Sequence, residues 1–390
     1  MERIKLARVT TVPISLKLLL KGQHKFMQRN GFNVIGISSY GPELDEIQNE
    51  EKIRVKDIEM TRNISPFKDL KSLWSLYKFF KQEKPLIVHT HTPKAGVLGM
   101  LAAKICGVPI RLHTVAGMPL MEASGIKREV LDIVEKITYW AATKIYPNSK
   151  ELERFILNYG YCSPDKVKVI ANGSSNGVDT SFFSPDQIEA SSSLEVKDRL
   201  GISNNDFVFI FVGRIVGDKG INELISAFKQ INNPHVKLLL VGGLETELDP
   251  LSTETLDEIR TNPNILSVGF QRDVRPYFAI SNALVFPSYR EGFPNVVMQA
   301  GAMELPAIVS DINGCNEIII EGKNGTIIPV KNVDAVKNAM EMIITNKELY
   351  TMMKANARAM ITERYEQKVV WDALLAEYRS LLKDRGLDHV

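Results

Sequence analysis

Cysteine is scarce in this 390-residue chain: Cys106, Cys162 and Cys315 are scattered, odd in number and without Cys-x-x-Cys spacing. That argues against a disulfide framework and against a structural zinc site, and points to a reduced, cytosolic chain. No apolar run approaches the ~20 residues that a membrane-spanning helix needs. The chain runs straight into a strand-like segment, Ile4 to Val12, with no signal-peptide cleavage pattern. An Asp-x-Asp triplet is missing, and the six His and three Cys have no metal-ligand spacing, so neither a metal nor a resident cofactor is expected. There is no Gly-x-Ser-x-Gly elbow, which removes a serine-hydrolase reading. The first strand is followed by Thr10-Thr11-Val12-Pro13 in place of a glycine-rich turn, which argues against a nicotinamide dehydrogenase. Basic runs with interleaved aromatics are also absent, so nucleic acid is not an expected partner.

What is present is a globular composition, 44% hydrophobic and 24% charged, long enough for two domains. The net charge of +2 hides an asymmetry. Through Asp179 there are 27 Lys and Arg against 18 Asp and Glu, and the remainder reverses the balance, 21 against 28. A basic front half suits an anionic partner such as a membrane surface or a pyrophosphate-bearing lipid.

The front half alternates strand-like and helix-like stretches. Strands are expected at Lys5–Val12, Asn33–Tyr40, Ile53–Met60, Pro85–Thr90, Pro109–Val115 and Val167–Ile170. Helices are expected at Leu16–Asn30, Asp69–Lys84, Lys94–Cys106 and Lys127–Lys144, the last carrying Val130, Ile133, Val134, Ile137 and Trp140 on one side. This pattern implies a parallel sheet covered on both faces, whose ligands sit beyond the carboxyl ends of the strands. A turn-rich break at Asn172–Asp179 and a linker-like stretch at Pro185–Ser193 place a boundary between domains of residues 1–180 and 181–365. A second series then runs through Phe207–Val212, Val236–Val241, Asn264–Val268, Ala283–Phe286 and Ala307–Ser310. The nearly all-helical tail is expected to cross back, with residues 366–390 packing on the first domain.

Two stretches of the second half carry chemistry. Gly213-Arg214 ends one strand, and Lys219-Gly220 opens the next helix. That pairs a bidentate cation and a point charge with a glycine-freed backbone, an arrangement suited to a diphosphate. Ala283–Pro287 is followed by Tyr289-Arg290-Glu291-Gly292-Phe293-Pro294-Asn295. Pro294 suits the first helical position, Asn295 and Gln299 share a face four residues apart, and the helix N-terminus favours an anion.

In this order, these motifs resemble the retaining nucleotide-sugar glycosyltransferases of family 4. Val212-Gly213-Arg214 with Lys219-Gly220, Leu240–Gly243, and Pro287-Ser288 with Glu291–Asn295 carry the resemblance over essentially the whole chain. His91–Gly96 and Asn172–Asp179 look like the branch that builds bacterial surface polysaccharide, such as capsule, on a lipid carrier. The resemblance implies an α/β GT-B fold, two Rossmann-like parallel-sheet domains facing a cleft, and transfer of a hexose from a nucleotide-diphosphate sugar, UDP-linked, with retention and without a metal. The acceptor would be a saccharide or a polyprenyl-diphosphate-linked glycan, and the location cytoplasmic, with peripheral contact at the inner face of the membrane through the basic N-terminal domain. Arg214 and Lys219 would neutralise the diphosphate, and Glu291 would hold hydroxyls of the sugar. Gly213, Gly292, Phe293, Pro294, Asn295 and Gln299 would complete the donor site.

Two departures stand out. The family has a second Glu eight positions after the first, reaching the ribose hydroxyls, and this chain has Gln299, an amide that can both accept and donate. The branch's His-Gly pair after the Gly-Val-Pro turn is here Ala116-Gly117, with His113 three residues earlier and on the opposite strand face. His91, Lys94, His113 and Asn172 are the candidates for the acceptor side of the cleft. Two other readings stay open at this point: a nucleotide-sugar epimerase of the same build, and a non-catalytic nucleotide-sugar-binding relative.

Overall fold

A computed structural model describes every residue except Met1, Glu2, Arg62, Ile64, Pro119, Met121, Glu122, Thr246, Leu248, His389 and Val390. The chain divides into two compact units. One holds residues 1–176 together with 368–390, the other Gly177–Gln367.

The first unit is a six-stranded, all-parallel sheet of β1 (Ile4–Val9), β2 (Phe32–Ser38), β3 (Arg54–Asp57), β4 (Ile87–Thr90), β5 (Ile110–Val115) and β6 (Lys144–Pro147). Its order is β3-β2-β1-β4-β5-β6, so the sheet reverses direction between β1 and β4. Helices Pro66–Glu83, Pro93–Ile105 and Gly125–Ala141 lie side by side on one face, covering a core that includes Val88, Ala95, Met100 and Tyr139. The other face is closed by helices near the N-terminus and by the last helix, Gln367–Lys383, whose Leu374, Tyr378 and Leu382 pack with Leu6, Phe32 and Val34. At the centre of that face the fully buried guanidinium of Arg8 bonds Gln23 and, at 3.3 Å, the hydroxyl of Tyr378.

The second unit repeats the plan with β7 (Phe207–Val212), β8 (Val236–Val241), β9 (Ile265–Ser267), β10 (Ala283–Phe286), β11 (Ala307–Ser310) and β12 (Gly325–Ile328). The order β12-β11-β10-β7-β8-β9 puts its reversal between β7 and β10. Those central strands are almost wholly apolar (Phe-Val-Phe-Ile-Phe-Val in β7), as both-face burial requires.

Several expectations need correction. The single helix expected over Leu16–Asn30 is two, Pro13–Leu19 and Gln23–Arg29. Gly22 breaks it with φ +79°, where a Cβ would fall 2.7 Å from the indole of Trp371, and Glu51 accepts the freed N–H of Gly22 at 2.7 Å. Val167–Ile170 makes only an isolated bridge to Ile145, because β6 is the last strand of that edge. The stretch read as a linker becomes a helix from Ala190 to Leu200. Helix Pro42–Glu51 and strand β12 were not expected at all. Gly125–Ala141 does not turn all of its expected apolar side inward: Ile133 and Trp140 are exposed, while Glu135 and Thr138 are buried beside Tyr139 and Ala141.

Candidate active site

In an open parallel sheet the loops after the two strands at the reversal diverge and leave a crevice. In the second unit these are the loop after β7, residues 213–220, and the loop after β10, residues 287–294. They are stitched together. Tyr289 N–H donates to Asp218 O at 2.9 Å, and the Tyr289 hydroxyl reaches Glu223 at 2.6 Å. Gly220 turns at φ +70°, and a Cβ there would lie 2.1 Å from Pro287 O, so only glycine lets the loops close this tightly. A short 3-10 turn, Gly217–Lys219, is held by Asp249, whose carboxylate accepts the N–H of Asp218 at 2.5 Å.

The outcome of this stitching is a contact between Lys219 and Glu291, whose Nζ and Oε1 atoms are 2.5 Å apart and largely shielded from solvent. Ser288, fully buried, sets its Oγ 3.2 Å from the same carboxylate oxygen. Asn313 holds the backbone beneath, donating through Nδ2 to Gly292 O at 2.6 Å and Glu291 O at 3.2 Å. Gly314 allows that approach, since a Cβ there would stand 2.8 Å from Gly292 O. Ser288 was read from the sequence only as part of the Pro287-Ser288 motif, with no role at the site, and Asn313 was not singled out; the Asn-Gly dipeptide just after β11 was the available signal.

Helix Asn295–Ala302 begins beside this pair, with Pro294 as its N-cap and not, as expected, its first helical residue. As at any helix start, the first N–H groups lack a full set of intrahelical acceptors, and such groups favour an anion. Asn295 is exposed, Gln299 half-buried, and Phe293 packs on Tyr365 at 5.4 Å between centroids. Gly213 lies at the tip of β7, where its carbonyl oxygen would be 1.7 Å from a Cβ on Gly242. Arg214 does not join Lys219. It is half-exposed and pairs with Glu245 Oε2 at 3.0 Å, because the loop after the adjacent β8 brings that carboxylate within reach first.

The first-unit candidates are placed differently from one another. His91 is buried and stacks on His89 with centroids 4.1 Å apart; its ring nitrogens have no hydrogen-bond partner among the described residues. Both rings edge a cavity of about 20 Å3, also lined by Gln23, Asn148 and Ser175. His89 is fully engaged, by the Tyr378 hydroxyl at 2.6 Å and Thr114 Oγ1 at 2.8 Å. Burial, reinforced by the nearby Arg8 guanidinium, holds both imidazoles well below their ordinary value. The ammonium of Lys94, expected to meet an acceptor phosphate, is already paired with Asp69 Oδ2 at 2.6 Å and bonds Asn63 O at 2.9 Å. His113 is not a cleft residue. It is buried against helix Pro93–Ile105, bonds Thr90 Oγ1 at 2.7 Å, and would clash at 2.5 Å with any Cβ on Gly96. Burial pulls its pKa down to about 4. Asn172 is exposed on the loop after Ile170. Among the described residues no group of three His, Cys, Asp or Glu side chains is gathered as a metal site would be.

Residues 192–360 match the family model for glycosyl transferases group 1, and residues 27–173 the glycosyl transferase 4-like domain. The capsular polysaccharide biosynthesis glycosyltransferase CapM of Staphylococcus aureus is 35% identical over 98% of this chain and 99% of its own length. This chain belongs to the group 1 glycosyltransferases. Another relative of this glycosyltransferase is the UDP-Gal:alpha-D-GlcNAc-diphosphoundecaprenol alpha-1,3-galactosyltransferase of Escherichia coli, 34% identical over 78% of each chain. Among solved structures, a glycosyltransferase from Rickettsia africae superposes with a TM-score of 0.81 at 19% identity, covering 98% of this chain and all of that one. HepE of Anabaena in complex with UDP gives the same TM-score at 18% identity, covering 97% and 100%. The glycosyltransferase therefore has the GT-B fold, built from two Rossmann-like units.

Proposed function

We propose that this glycosyltransferase moves a hexose from a UDP-sugar to a polyprenyl-diphosphate-linked or saccharide acceptor, with retention, during surface polysaccharide synthesis. The observation that carries the reading is the Lys219–Glu291 pair at the β7/β10 reversal, at the mouth of helix Asn295–Ala302. Lys219 would neutralise the donor diphosphate. Arg214, once it exchanges Glu245 for phosphate oxygens, would add a bidentate grip. Glu291, fixed by Lys219, Ser288 and the Asn313 clamp, would accept hydrogen bonds from the sugar hydroxyls. Gln299 would reach the ribose. The CapM resemblance and the lipid-linked substrate named for the Escherichia coli relative support the acceptor class.

In the transfer step the bond between the anomeric carbon and the diphosphate oxygen breaks, and the acceptor oxygen bonds that carbon from the same side. The acceptor's proton passes to the departing diphosphate. Charge developing on that diphosphate is met by Lys219, Arg214 and the helix N–H groups, which would do the work without a metal. Incubation of the purified protein with UDP-sugars and a diphosphate-linked acceptor, with products resolved by mass and by anomeric NMR coupling, tests this. An α-linked product from an α-linked donor, formed equally in EDTA, is expected. Rearranged sugar released without acceptor would indicate an epimerase, and UDP-sugar binding without turnover on any acceptor a non-catalytic relative.

A further inference from the structure

Arg214 and Lys219 are both held by carboxylates in the structure, and the two pairs differ in kind. Lys219 and Glu291 are shielded, their side chains 14% and 19% exposed. Arg214 and Glu245 stand open at 50% and 39%, and a single hydrogen bond joins them, Nη1 to Oε2 at 3.0 Å. An open pair of this sort contributes little to stability. A guanidinium that forks onto phosphate oxygens makes two charge-assisted bonds and outcompetes it.

The place of Glu245 is built into the backbone. Past the ends of β7 and β8 the two chains stay paired: Gly213 N–H donates to Val241 O at 3.0 Å, Ile215 N–H to Gly243 O at 2.9 Å, and Ile215 bridges Leu244. Further along, Gly217 N–H donates to Asp249 O at 3.2 Å and Asp218 N–H to the Asp249 carboxylate at 2.5 Å. Arg214 is thus flanked on both sides by residues tied to the β8 chain and the loop that carries Glu245. Its main chain is fixed, and only its exposed side chain has to turn for one anion to replace another.

We propose that Glu245 is a positioning residue of the donor site, an internal stand-in for phosphate that holds Arg214 between turnovers and is displaced by each incoming diphosphate. This rests on the reading above, in which Arg214 meets the donor. The competition weakens the binding of donor and of product nucleoside diphosphate by the same factor, because either must take Arg214 from Glu245. It also speeds product departure, since Glu245 reclaims the guanidinium as the phosphate oxygens withdraw.

A double-mutant cycle on the full chain tests this, with UDP titrated calorimetrically into wild type, Glu245→Gln, Arg214→Ala and the double variant. Glu245→Gln should bind UDP about three- to fivefold more tightly than wild type, and its donor KM and its inhibition constant for UDP should fall by the same factor. In the Arg214→Ala background the second substitution should bring no gain. Glu247→Gln, which removes an exposed charge from the same loop, should leave UDP affinity as it is. Unchanged or weaker UDP binding by Glu245→Gln would overturn the role of Glu245. So would an equal gain in the Arg214→Ala background or from Glu247→Gln, which would mark a general effect of charge. Either result leaves the donor site standing, whereas wild-type protein that binds no UDP would defeat the proposed function and the exchange together.

Discussion

Lys219 and Glu291, seventy-two positions apart in the chain, meet with their charged atoms 2.5 Å from one another where the loops after β7 and β10 converge. The pair places a cation for phosphate and a carboxylate for hydroxyls side by side. Lys219→Met and Glu291→Gln are each expected to lower kcat/KM about 100-fold or more, with the far-UV spectrum and melting temperature near those of wild type. Steady-state assays with a UDP-sugar donor check this, and near-normal turnover in either variant would contradict the assigned roles.

Asn313 acts through the loop it holds. Asn313→Ala removes both bonds to the carbonyls of Glu291 and Gly292 and leaves those oxygens without their donor. A loss of about 1–3 kcal/mol in stability is expected, with a fall in kcat larger than any change in donor KM. Urea unfolding and initial-rate measurements separate the two; a pure stability effect would show the clamp to be structural only.

Gly220 allows the two loops to close. A Cβ would meet Pro287 O at 2.1 Å on a backbone with φ +70°. Gly220→Ala should destabilise the protein by at least about 2 kcal/mol and abolish donor binding by forcing Lys219 from Glu291. Nucleotide-induced shifts in melting temperature report the second effect.

Acid should destabilise the first unit. His24, His89, His91 and His113 are buried and neutral, with burial pulling His24 to about 3 and His113 to about 4, and the other two well below 6.5. Unfolded, each takes up a proton near pH 6.5, so the unfolded state gains protons as the pH falls and stability drops. Glu135 opposes this: burial raises its carboxyl to about 7 from 4.5, so its contribution is greatest in acid and is lost as pH rises through 7. Glu51, whose carboxyl burial also raises, acts in the same direction as Glu135, and near pH 5.5 four histidine protons outweigh the two carboxyl protons, giving a slope of roughly 2–4 kcal/mol per pH unit. Denaturant titrations at pH 7.5 and 5.5 should show a clear fall. Glu135→Gln should raise stability at pH 8 and steepen the acid limb, and a flat profile would refute the assignment.

Much of the fold was legible because two-sided burial leaves a strong mark: β7, β10 and β11 were located as uninterrupted apolar runs, and they occupy the same residues in the structure. Short or edge elements left weaker marks. Strand β12 carries only four residues, and the helix break at Gly22 depends on Trp371, almost 350 positions away in the chain. The candidate site shows the same division. Glu291 and Lys219 stood out as charges beside glycines at strand ends, and the structure brings them into contact. Arg214 carried the same local signal, yet its partner is Glu245 on the neighbouring loop. His113 looked like a strand-end imidazole until the small residues of Pro93–Ile105, Gly96 above all, brought a helix down on its ring.

By itself the sequence determined the alternation of strands and helices, the parallel sheets and the family, because hydrophobic period and glycine-marked loops are local properties. Only the tertiary structure decided which charges pair, which imidazoles lose their protons, and which face of Gly125–Ala141 meets solvent. Each of these depends on groups that the fold, and not the order of the chain, brings within a few ångströms.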